Sequence, residues 1–167
     1  MAPGPETRAV CADLPDACGV PERMQVEQLV GMVTDFSADL DPAKALGMLD
    51  ALHIARTAKL RTVSKGNKEK VQLILAMSRA ARLYLLDEPI GGVDPAARDY
   101  ILHTIISNYS KDATVILSTH LIGDIEPVLD EAIFLKDGRV FAHRSVEELR
   151  ETEGMSVDAY FREVFKC

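Results

Sequence analysis

The sequence predicts an α/β fold with a mostly parallel sheet and an additional α-helical subdomain. Two observations predict it. In the second half, the apolar runs at 83–86 and 114–118 are separated by a helical segment, which is the strand–helix–strand order of a parallel sheet. In the first half, apolar residues recur at helical spacing instead. A chain of 167 residues is long enough for one domain, or for a piece of a larger one.

The first half is predicted to be mainly helical after a strand-like stretch at 8–11. Helical spacing predicts a first helix over 25–36, and Asp41-Pro42 supplies the cap and the first-turn proline of a second. A third helix is predicted over 67–80, after a polar loop. Its inner face is predicted to hold Val71, Ile74, Leu75 and Ser78.

The second half is predicted to begin with two buried strands. The run at 83–86 is apolar throughout, which is typical of a strand covered on both faces. A helix is expected from Pro95 to about residue 109, with Ile101, Ile105 and Ile106 facing inward, and the second strand follows at 114–118.

The last part of the chain is predicted to form a short helix, a hairpin and two more helices. Strands at 132–135 and 140–142 flank an Asp-Gly turn, and Ser145 opens a capping box. An amphipathic helix is expected over 156–166. We therefore divide the chain into a remnant strand and loop region (1–23), a helical subdomain (24–82) and the second half of an α/β core (83–167).

Composition excludes several classes of protein. The net charge of −7 argues against a nucleic-acid binder, which usually carries a basic face. No apolar run reaches the roughly 18 residues of a membrane span, and the start has no secretory-signal pattern. Three cysteines (Cys11, Cys18 and Cys167) form no C-x-x-C motif, so we expect a reduced protein. A bridge or a shared metal at Cys11 and Cys18 is the alternative.

Two carboxylates end the first buried strand. Asp87 and Glu88 follow the apolar run directly, and open α/β sheets bind their ligands at the carboxyl ends of strands. The first carboxylate suits magnesium and the second can polarise an attacking water. The alternative is a strand that ends in a solvated turn. Against a complete nucleotide site, the chain contains no G-x-x-x-x-G-K-[ST] loop.

Two further segments support a nucleotide site. Ser64 and Gly66 open the third helix, where exposed N–H groups and the helix dipole favour a phosphate. His120 follows the next strand, one strand–helix–strand step after the carboxylates. The alternative reading of His120 is a hydrogen-bonded structural residue.

Two segments of the chain resemble, in this order, the second half of an ATP-binding cassette (ABC) domain, the motor of ABC transporters. They read SKGNKEKVQLILAMSRAARLYLLDEPIGGVDPAAR and VILSTH. The resemblance covers the chain from about Thr7 to its end and rests on four motifs. It implies an incomplete P-loop NTPase-like core. It also implies the cofactors ATP and Mg²⁺ and, as the activity of the family, ATP hydrolysis.

The resemblance implies roles for residues of the family's signature loop and for the two carboxylates that end the first buried strand. Ser64 and Gly66 match the signature loop, which contacts the γ-phosphate of ATP held by a partner subunit, and Asn67 stands in place of its usual glutamine. Asp87 matches the Walker B aspartate that holds Mg²⁺, and Glu88 matches the catalytic glutamate.

Three further positions carry implied roles. Asp94 matches the aspartate of the loop that communicates across the dimer, and His120 matches the switch histidine that reads the γ-phosphate. Asp16 falls where the family has its glutamine-bearing loop, which touches magnesium and the membrane subunit, and here an aspartate stands in place of the glutamine. The signature also departs from the family at Lys65, where a glycine is usual.

The resemblance implies a nucleotide-binding subunit of an ABC transporter that couples ATP binding and hydrolysis at a dimer interface to transport, with export favoured over import. Its partners would be a transmembrane subunit, docked near 24–36, and a second ATPase subunit in a homo- or heterodimer. It would sit peripherally on the cytoplasmic face of the membrane.

The phosphate-binding loop, or Walker A region, is absent from these residues, so we expect a truncated piece that hydrolyses no ATP alone. Losing the first strands should also expose a sheet edge and an apolar face. One alternative is a shortened, non-catalytic cassette that acts as a binding module for an intact ATPase. Another, a lobe of a chromosome-maintenance ATPase, is disfavoured because no heptad coiled coil precedes the signature region.

Overall fold

The computed structural model describes residues 4–15, 19, 21–91, 93, 95–109 and 112–165. Its contacts divide the chain into two compact units, Met1–Thr119 and His120–Cys167, and each is described by itself. The three-part division expected from the sequence stays a prediction.

The first unit contains five helices and three strands among its described residues. In chain order these are α1 (Pro5–Val10), β1 (Cys11–Leu14), α2 (Val26–Phe36), α3 (Pro42–Ala51), α4 (Lys65–Met77), β2 (Leu83–Asp87), α5 (Pro95–Asn108) and β3 (Thr114–Ser118). The predicted strand at 8–11 is wrong in position, because a helix with proline in its first turn occupies 5–10 and the strand begins at Cys11. The predicted bounds of β3 are confirmed.

Helix α4 begins earlier than the sequence predicted. The hydroxyl of Ser64 accepts a hydrogen bond from the Asn67 N–H at 3.3 Å, so Ser64 is the N-cap and Lys65 the first helical residue. The predicted inner face of this helix is confirmed, since Val71, Ile74, Leu75 and Ser78 are all buried.

The three strands form one parallel sheet in the order β1-β2-β3, with β3 at an edge. The register aligns Asp13 with Leu85 and Leu85 with Ile116, so these side chains form a row across one face. The parallel sheet predicted from the sequence is confirmed.

Within the described part of the first unit, one face of this sheet is buried and the other is partly exposed, so the prediction of a strand buried on both faces is wrong. Tyr84 and Leu86 are 1% and 2% exposed, whereas the alternating Leu85 is 40% exposed and Ile116 on β3 is 48% exposed. An apolar run has the same appearance whichever face is covered. The exposed edge and face that the sequence led us to expect are both present.

Helix α5 packs with a different face inward than predicted. Ile101 and Ile105 are buried, but Ile106 is 44% exposed and Leu102 is buried in its place. Residues 101, 102 and 105 share one helical face, so the inward face is rotated by part of a turn from the predicted one.

The helical region closes its own core. Side chains from α2, α3, α4 and the segments between them form one buried cluster. Its members are Val26, Leu29, Val30, Leu40, Ala45, Leu49, Ile54, Leu60, Val71, Ile74 and Leu75. Leu60 lies in a 3₁₀ turn (Leu60–Thr62) within the segment predicted as a polar loop, and it is fully buried.

Two basic side chains tie this helical region to the rest of the unit. Lys44 Nζ donates to the carbonyls of Met77 and Asn108, both at 2.7 Å, and therefore caps the C-terminal ends of α4 and α5. Burial lowers the pKa of Lys44, against the opposing effect of Asp41. Arg79 Nε donates to both carboxylate oxygens of Asp39 at 3.1 Å.

The second unit is a hairpin covered by two helices. Helix α6 (Ile122–Ile125) precedes β4 (Glu131–Lys136) and β5 (Arg139–Ser145), which pair antiparallel, and α7 (Val146–Thr152) and α8 (Val157–Val164) follow. Phe134, Val146, Leu149 and Val157 form its core. The hairpin, its turn and the helix capped by Ser145 are confirmed.

Candidate functional site

The two carboxylates lie at the carboxyl end of β2 and are tied to the end of β3. The Ser118 hydroxyl donates a hydrogen bond to Asp87 Oδ1. The Glu88 N–H donates to the Ser118 carbonyl at 3.1 Å, which extends the ladder by one residue beyond the strand. Asp87 is exposed, so solvent reaches this residue at the end of the strand.

Glu88 has an unusual backbone conformation. Its φ of +46° lies in the left-handed region that residues with a side chain rarely adopt. Its Oε2 atom is buried. Backbone strain of this kind is concentrated at functional sites, where the surrounding structure holds it in place.

Gly91 provides the space for Glu88. A Cβ at position 91 would lie 3.2 Å from both the Cβ and the carbonyl oxygen of Glu88 and 3.4 Å from its Oε2. The Gly91 N–H also donates to the Glu88 carbonyl at 2.9 Å. A Cβ at this position would therefore require Glu88 to shift by a few tenths of an ångström.

A small cavity of about 30 Å³ brings α4 against these carboxylates. Its volume is about that of one water molecule. The lining residues are Leu14, Pro15, Glu69, Gln72, Asp87, Glu88, Pro89 and Gly91. Sequence reasoning missed Glu69 and Gln72, although their spacing from Lys65 on a helix places all three on one face.

The N-terminus of α4 is open to solvent. A Cβ on Gly66 would meet no atom within 4 Å, so backbone N–H groups there can be approached closely. Lys65 is 91% exposed, and its Nζ lies 3.7 Å from Glu69 Oε1 one turn further on. The Asn67 N–H donates to the Ser64 hydroxyl, so the helix begins at this segment. A helix N-terminus carries a partial positive charge and can therefore bind an anion.

The carboxylate oxygens at the end of β2 suit Mg²⁺ better than they suit a metal ion whose ligands all come from the protein. Within the described residues, no group of three or more His, Cys, Asp or Glu side chains is arranged to hold a metal ion. Mg²⁺ in nucleotide sites typically takes one or two carboxylates and completes its shell with water and phosphate oxygens. An exposed Asp87 oriented by Ser118 fits that requirement.

The remaining predicted residues fall into two groups. His120 is the first residue of the second unit and follows β3 by two residues, as predicted. Asp16 and Asp94 lie outside the described residues, as do Cys18 and Cys167. The roles of all eight predicted site residues stay predictions. No helix in the described part of the chain has the length and apolar character needed to cross a membrane.

Comparison with known proteins points to one kind of protein. A family model described as "AAA domain, putative AbiEii toxin, Type IV TA system" matches residues 47–123. The uncharacterized ABC transporter ATP-binding protein YlmA of Bacillus subtilis is 36% identical over 110 residues, which is 64% of this chain and 42% of YlmA. The ABC-type transporter ATP-binding protein EcsA of the same organism is 38% identical over 92 residues, covering 55% of this chain and 37% of EcsA.

A solved structure titled "Structure of ATP binding subunit of ABC transporter" superposes with a TM-score of 0.83 at 26% identity. The match covers 96% of this chain and 70% of that chain. The predicted fold class, an incomplete P-loop NTPase-like core with a helical subdomain, is thereby confirmed. The chain spans less than half the length of YlmA and of EcsA.

Proposed function

We propose that this chain, which belongs to the family of ABC transporter ATPases, supplies the signature segment, the carboxylates and the switch histidine of a nucleotide-binding subunit. The observation that carries the proposal is that α4 and the carboxyl end of β2 line one cavity. Glu69 and Gln72 of α4 line it together with Asp87 and Glu88, so the helix that begins with the signature segment lies beside the end of the strand that carries the carboxylates.

The carboxylates have different roles because their surroundings differ. Asp87 would hold Mg²⁺, since it is exposed and oriented by the Ser118 hydroxyl. Glu88 would orient or deprotonate the attacking water, because its Oε2 atom is buried beside Gly91. When bound, ATP and Mg²⁺ supply the phosphoryl group to be transferred and much of the charge that stabilises its transfer. By resemblance, His120 would act as the switch histidine, Asp94 as the aspartate of the dimer-communicating loop and Asp16 at the position of the glutamine-bearing loop.

The start of α4 serves a nucleotide held by another subunit. Ser64, Gly66 and Asn67 form an exposed helix N-terminus that a partner's γ-phosphate could approach. Lys65 adds a positive charge beside it. The second ATPase subunit is therefore a required partner, as a homo- or heterodimer, and closure of the dimer would couple ATP binding and hydrolysis to transport.

The other partner is a transmembrane transporter subunit. Members of this family act on membranes through such subunits, so this chain would be cytoplasmic and peripheral to the membrane, and we favour export. The docking region would include α2, whose last residue, Phe36, is 85% exposed. Exposed aromatic side chains of this kind are frequent anchors at protein interfaces.

The chain by itself is expected to hydrolyse no ATP, because its 167 residues contain no phosphate-binding loop. The test uses an ABC ATPase subunit with an intact phosphate loop and a disabled signature segment, and follows phosphate release. The chain alone should give the buffer rate. Its addition to the partner should restore hydrolysis, with the partner's site completed by α4.

Gly66→Glu should abolish that restoration without unfolding the chain. The Cβ has open space, and a carboxylate in the first turn is favourable for a helix but repels phosphate. Gly47→Glu in α3 is the matched control, since its Cβ also meets no atom within 4 Å. Equal restoration by both variants would contradict the proposed role of the signature segment.

A second candidate is a non-catalytic cassette that acts only as a binding module for an intact ATPase. The open start of α4 favours it, because that segment needs no phosphate loop in its own chain. Glu88→Gln separates the two candidates in a chain that has been extended by the partner's phosphate-loop segment. A catalytic subunit should then show turnover of its own that Glu88→Gln removes, whereas a binding module should show none and should restore the partner's hydrolysis with or without the Glu88 carboxylate.

A further inference from the structure

One side chain, Lys44 on α3, meets the C-terminal ends of two other helices. Its Nζ atom donates to the Met77 carbonyl at the end of α4 and to the Asn108 carbonyl at the end of α5, each at 2.7 Å. These distances are typical of hydrogen bonds from a charged donor. A helix C-terminus is equivalent to about half a negative charge, so the two ends together match the charge of one ammonium group.

The backbone of Lys44 is fixed at the start of α3. The Asp41 side chain caps this helix and accepts a hydrogen bond from the Lys44 N–H at 3.0 Å. The next residue, Ala45, is fully buried in the core of the helical region. The ammonium group therefore reaches the end of α5 from a helix whose own position is set by that core.

A second attachment joins the end of α4 to the sheet. Arg79 follows α4 and donates to the Cys11 carbonyl on β1 at 2.6 Å, and it also donates to the Asp39 carboxylate. Arg79 and Lys44 thus hold the helical region at two separate points, one on β1 and one on α5. A single attachment fixes a position but permits a tilt about that point, whereas two attachments also fix a direction.

The opposite end of α4 carries the signature segment. The helix runs for 13 residues, from Lys65 to Met77, which is a length of about 20 Å. A tilt of about 10° about its C-terminal end would move its first turn by about 3 Å. In a reacting complex, a misplacement of about 1 Å can lower the rate by about a hundredfold. A small change in direction at Lys44 is therefore enlarged at Ser64 and Gly66.

We propose that Lys44 is a positioning residue for the signature segment. By joining the C-terminal ends of α4 and α5, it sets the direction in which α4 presents that segment to a nucleotide held by a partner subunit. Helix α5 is the reference for this direction, because it begins at Pro95, shortly after the turn that holds Glu88 and Gly91. Lys44 lies at the other end of α4 and acts through the helix, so the inference rests on the function proposed for the signature segment.

The first test measures the direction of α4 in the full chain. Lys65→Cys and Asp99→Cys, at exposed positions on α4 and α5, carry spin labels, and serines replace the three native cysteines. Double electron–electron resonance measures the distance between the labels. Lys44→Met has a side chain of similar length without a donor, so the distance distribution should shift or broaden by about 3 Å. Lys44→Arg keeps donors for both carbonyls and should retain the parent distribution.

The second test uses the mixture in which the chain completes the site of a partner with a disabled signature segment. At a saturating concentration of chain, Lys44→Met should lower the restored kcat by at least about tenfold. The KM for ATP should change by less than about twofold, because the partner's own phosphate loop binds the nucleotide. Lys44→Arg should recover most of the lost rate.

Val30→Ala is the matched control for a loss of stability alone. Val30 is buried in the same helical core but belongs to α2, so its truncation weakens the core without removing a donor from either helix end. Chain concentrations are corrected for the folded fraction of each variant, which urea denaturation supplies. Val30→Ala should leave the label distance unchanged and the restored kcat within about twofold of the wild-type value.

Two outcomes would overturn the proposal: an unchanged distance distribution in Lys44→Met, or a restored kcat for Lys44→Met equal to that for Val30→Ala. A wild-type chain that restores no hydrolysis would contradict the proposed function instead. The distance measurement would then decide whether Lys44 directs α4, since it needs neither nucleotide nor partner.

Discussion

The helical region and the three-stranded sheet are built from similarly apolar segments, yet only one of them closes its core. In α2, α3 and α4 the apolar faces meet each other, and eleven side chains form one buried cluster. In the sheet, Tyr84 and Leu86 are buried but Leu85 and Ile116 on the opposite face are exposed. A helix has one apolar stripe to bury, whereas a central parallel strand has two faces and needs a layer on each.

This difference separates what the chain can do alone from what it needs a partner to do. The helical region removes its apolar cluster from water among its own elements and needs no partner to cover that cluster. The sheet carries the carboxylates at its end but keeps one side and one edge open. The sheet, which lies closest to the proposed chemistry, is therefore the part of the first unit whose apolar surface is least buried.

The largest effect is expected from Leu49→Ala compared with Leu85→Ala. Leu49 is fully buried among α2, α3 and α4, so its truncation should lower the free energy of unfolding by about 2–5 kcal/mol. Leu85 is 40% exposed on the open face, so its truncation should cost less than about half of that. Urea denaturation of both variants measures the contrast. Equal losses would mean that the face of the sheet is covered in solution.

Lys44→Met should have the next largest effect. The ammonium group donates to the Met77 and Asn108 carbonyls, and methionine would leave two part-buried acceptors without that donor. We expect a loss of about 1–3 kcal/mol in urea denaturation. Lys59→Met, at an exposed lysine, is the control and should change stability by less than about 0.5 kcal/mol. Similar losses in both variants would show that the two helix ends do not depend on Lys44.

Local patterns in the sequence predicted the elements well. The caps at Asp41 and Ser145, the helical spacing in α2 and the apolar run of β3 each depend on neighbouring residues, and the structure confirms all of them. Features that depend on distant segments were not predictable in this way. The exposure of the Leu85 side chain depends on which elements pack against each face of the sheet. An apolar run in the sequence does not indicate which face will be covered.

The candidate site shows the same limit. Asp87 and Glu88 could be selected because they follow an apolar run, and Ser64 because it precedes a helix. Glu69 and Gln72 were missed, since nothing local distinguishes them from other polar residues of α4. The left-handed backbone of Glu88 and its contact with Gly91 also arise only when the turn is folded.

Gly91→Ala tests whether this turn fixes the carboxylate. The added methyl group would lie 3.2 Å from the Cβ and carbonyl oxygen of Glu88, so the turn must shift by a few tenths of an ångström. We expect a loss of stability of about 1 kcal/mol and a displaced Glu88 side chain, visible as changed NMR shifts for its carboxyl group. Gly123→Ala is the control, because its Cβ would meet no atom within 4 Å. An unchanged Glu88 resonance would show that the turn does not depend on a glycine.

The smallest effect is a pH-dependent one on the surface of the closed helical region. A hydrogen bond from Arg56, whose Nε lies 2.8 Å from Asp50 Oδ1, lowers the pKa of the Asp50 carboxyl, with burial opposing and the charge of Arg56 adding to the shift. A carboxyl group whose pKa is lower in the folded state binds fewer protons there than in the unfolded chain. Its stabilisation is therefore present above the unfolded value of about 3.9 and is lost as the pH falls through the folded value.

Asp50→Asn should accordingly be less stable than the wild type at neutral pH and converge with it in acid, once the pH is below the folded pKa of Asp50. Urea midpoints at several pH values measure this, with Asp35→Asn, an exposed aspartate on α2, as the control. A difference that persists in acid would mean that the ion pair contributes through packing instead of charge. Because the pair is exposed, added salt should shrink the neutral-pH difference, whereas the contrast between Leu49 and Leu85 should remain. The response to added salt therefore distinguishes the contribution of the surface ion pair from that of the buried side chains in the helical region.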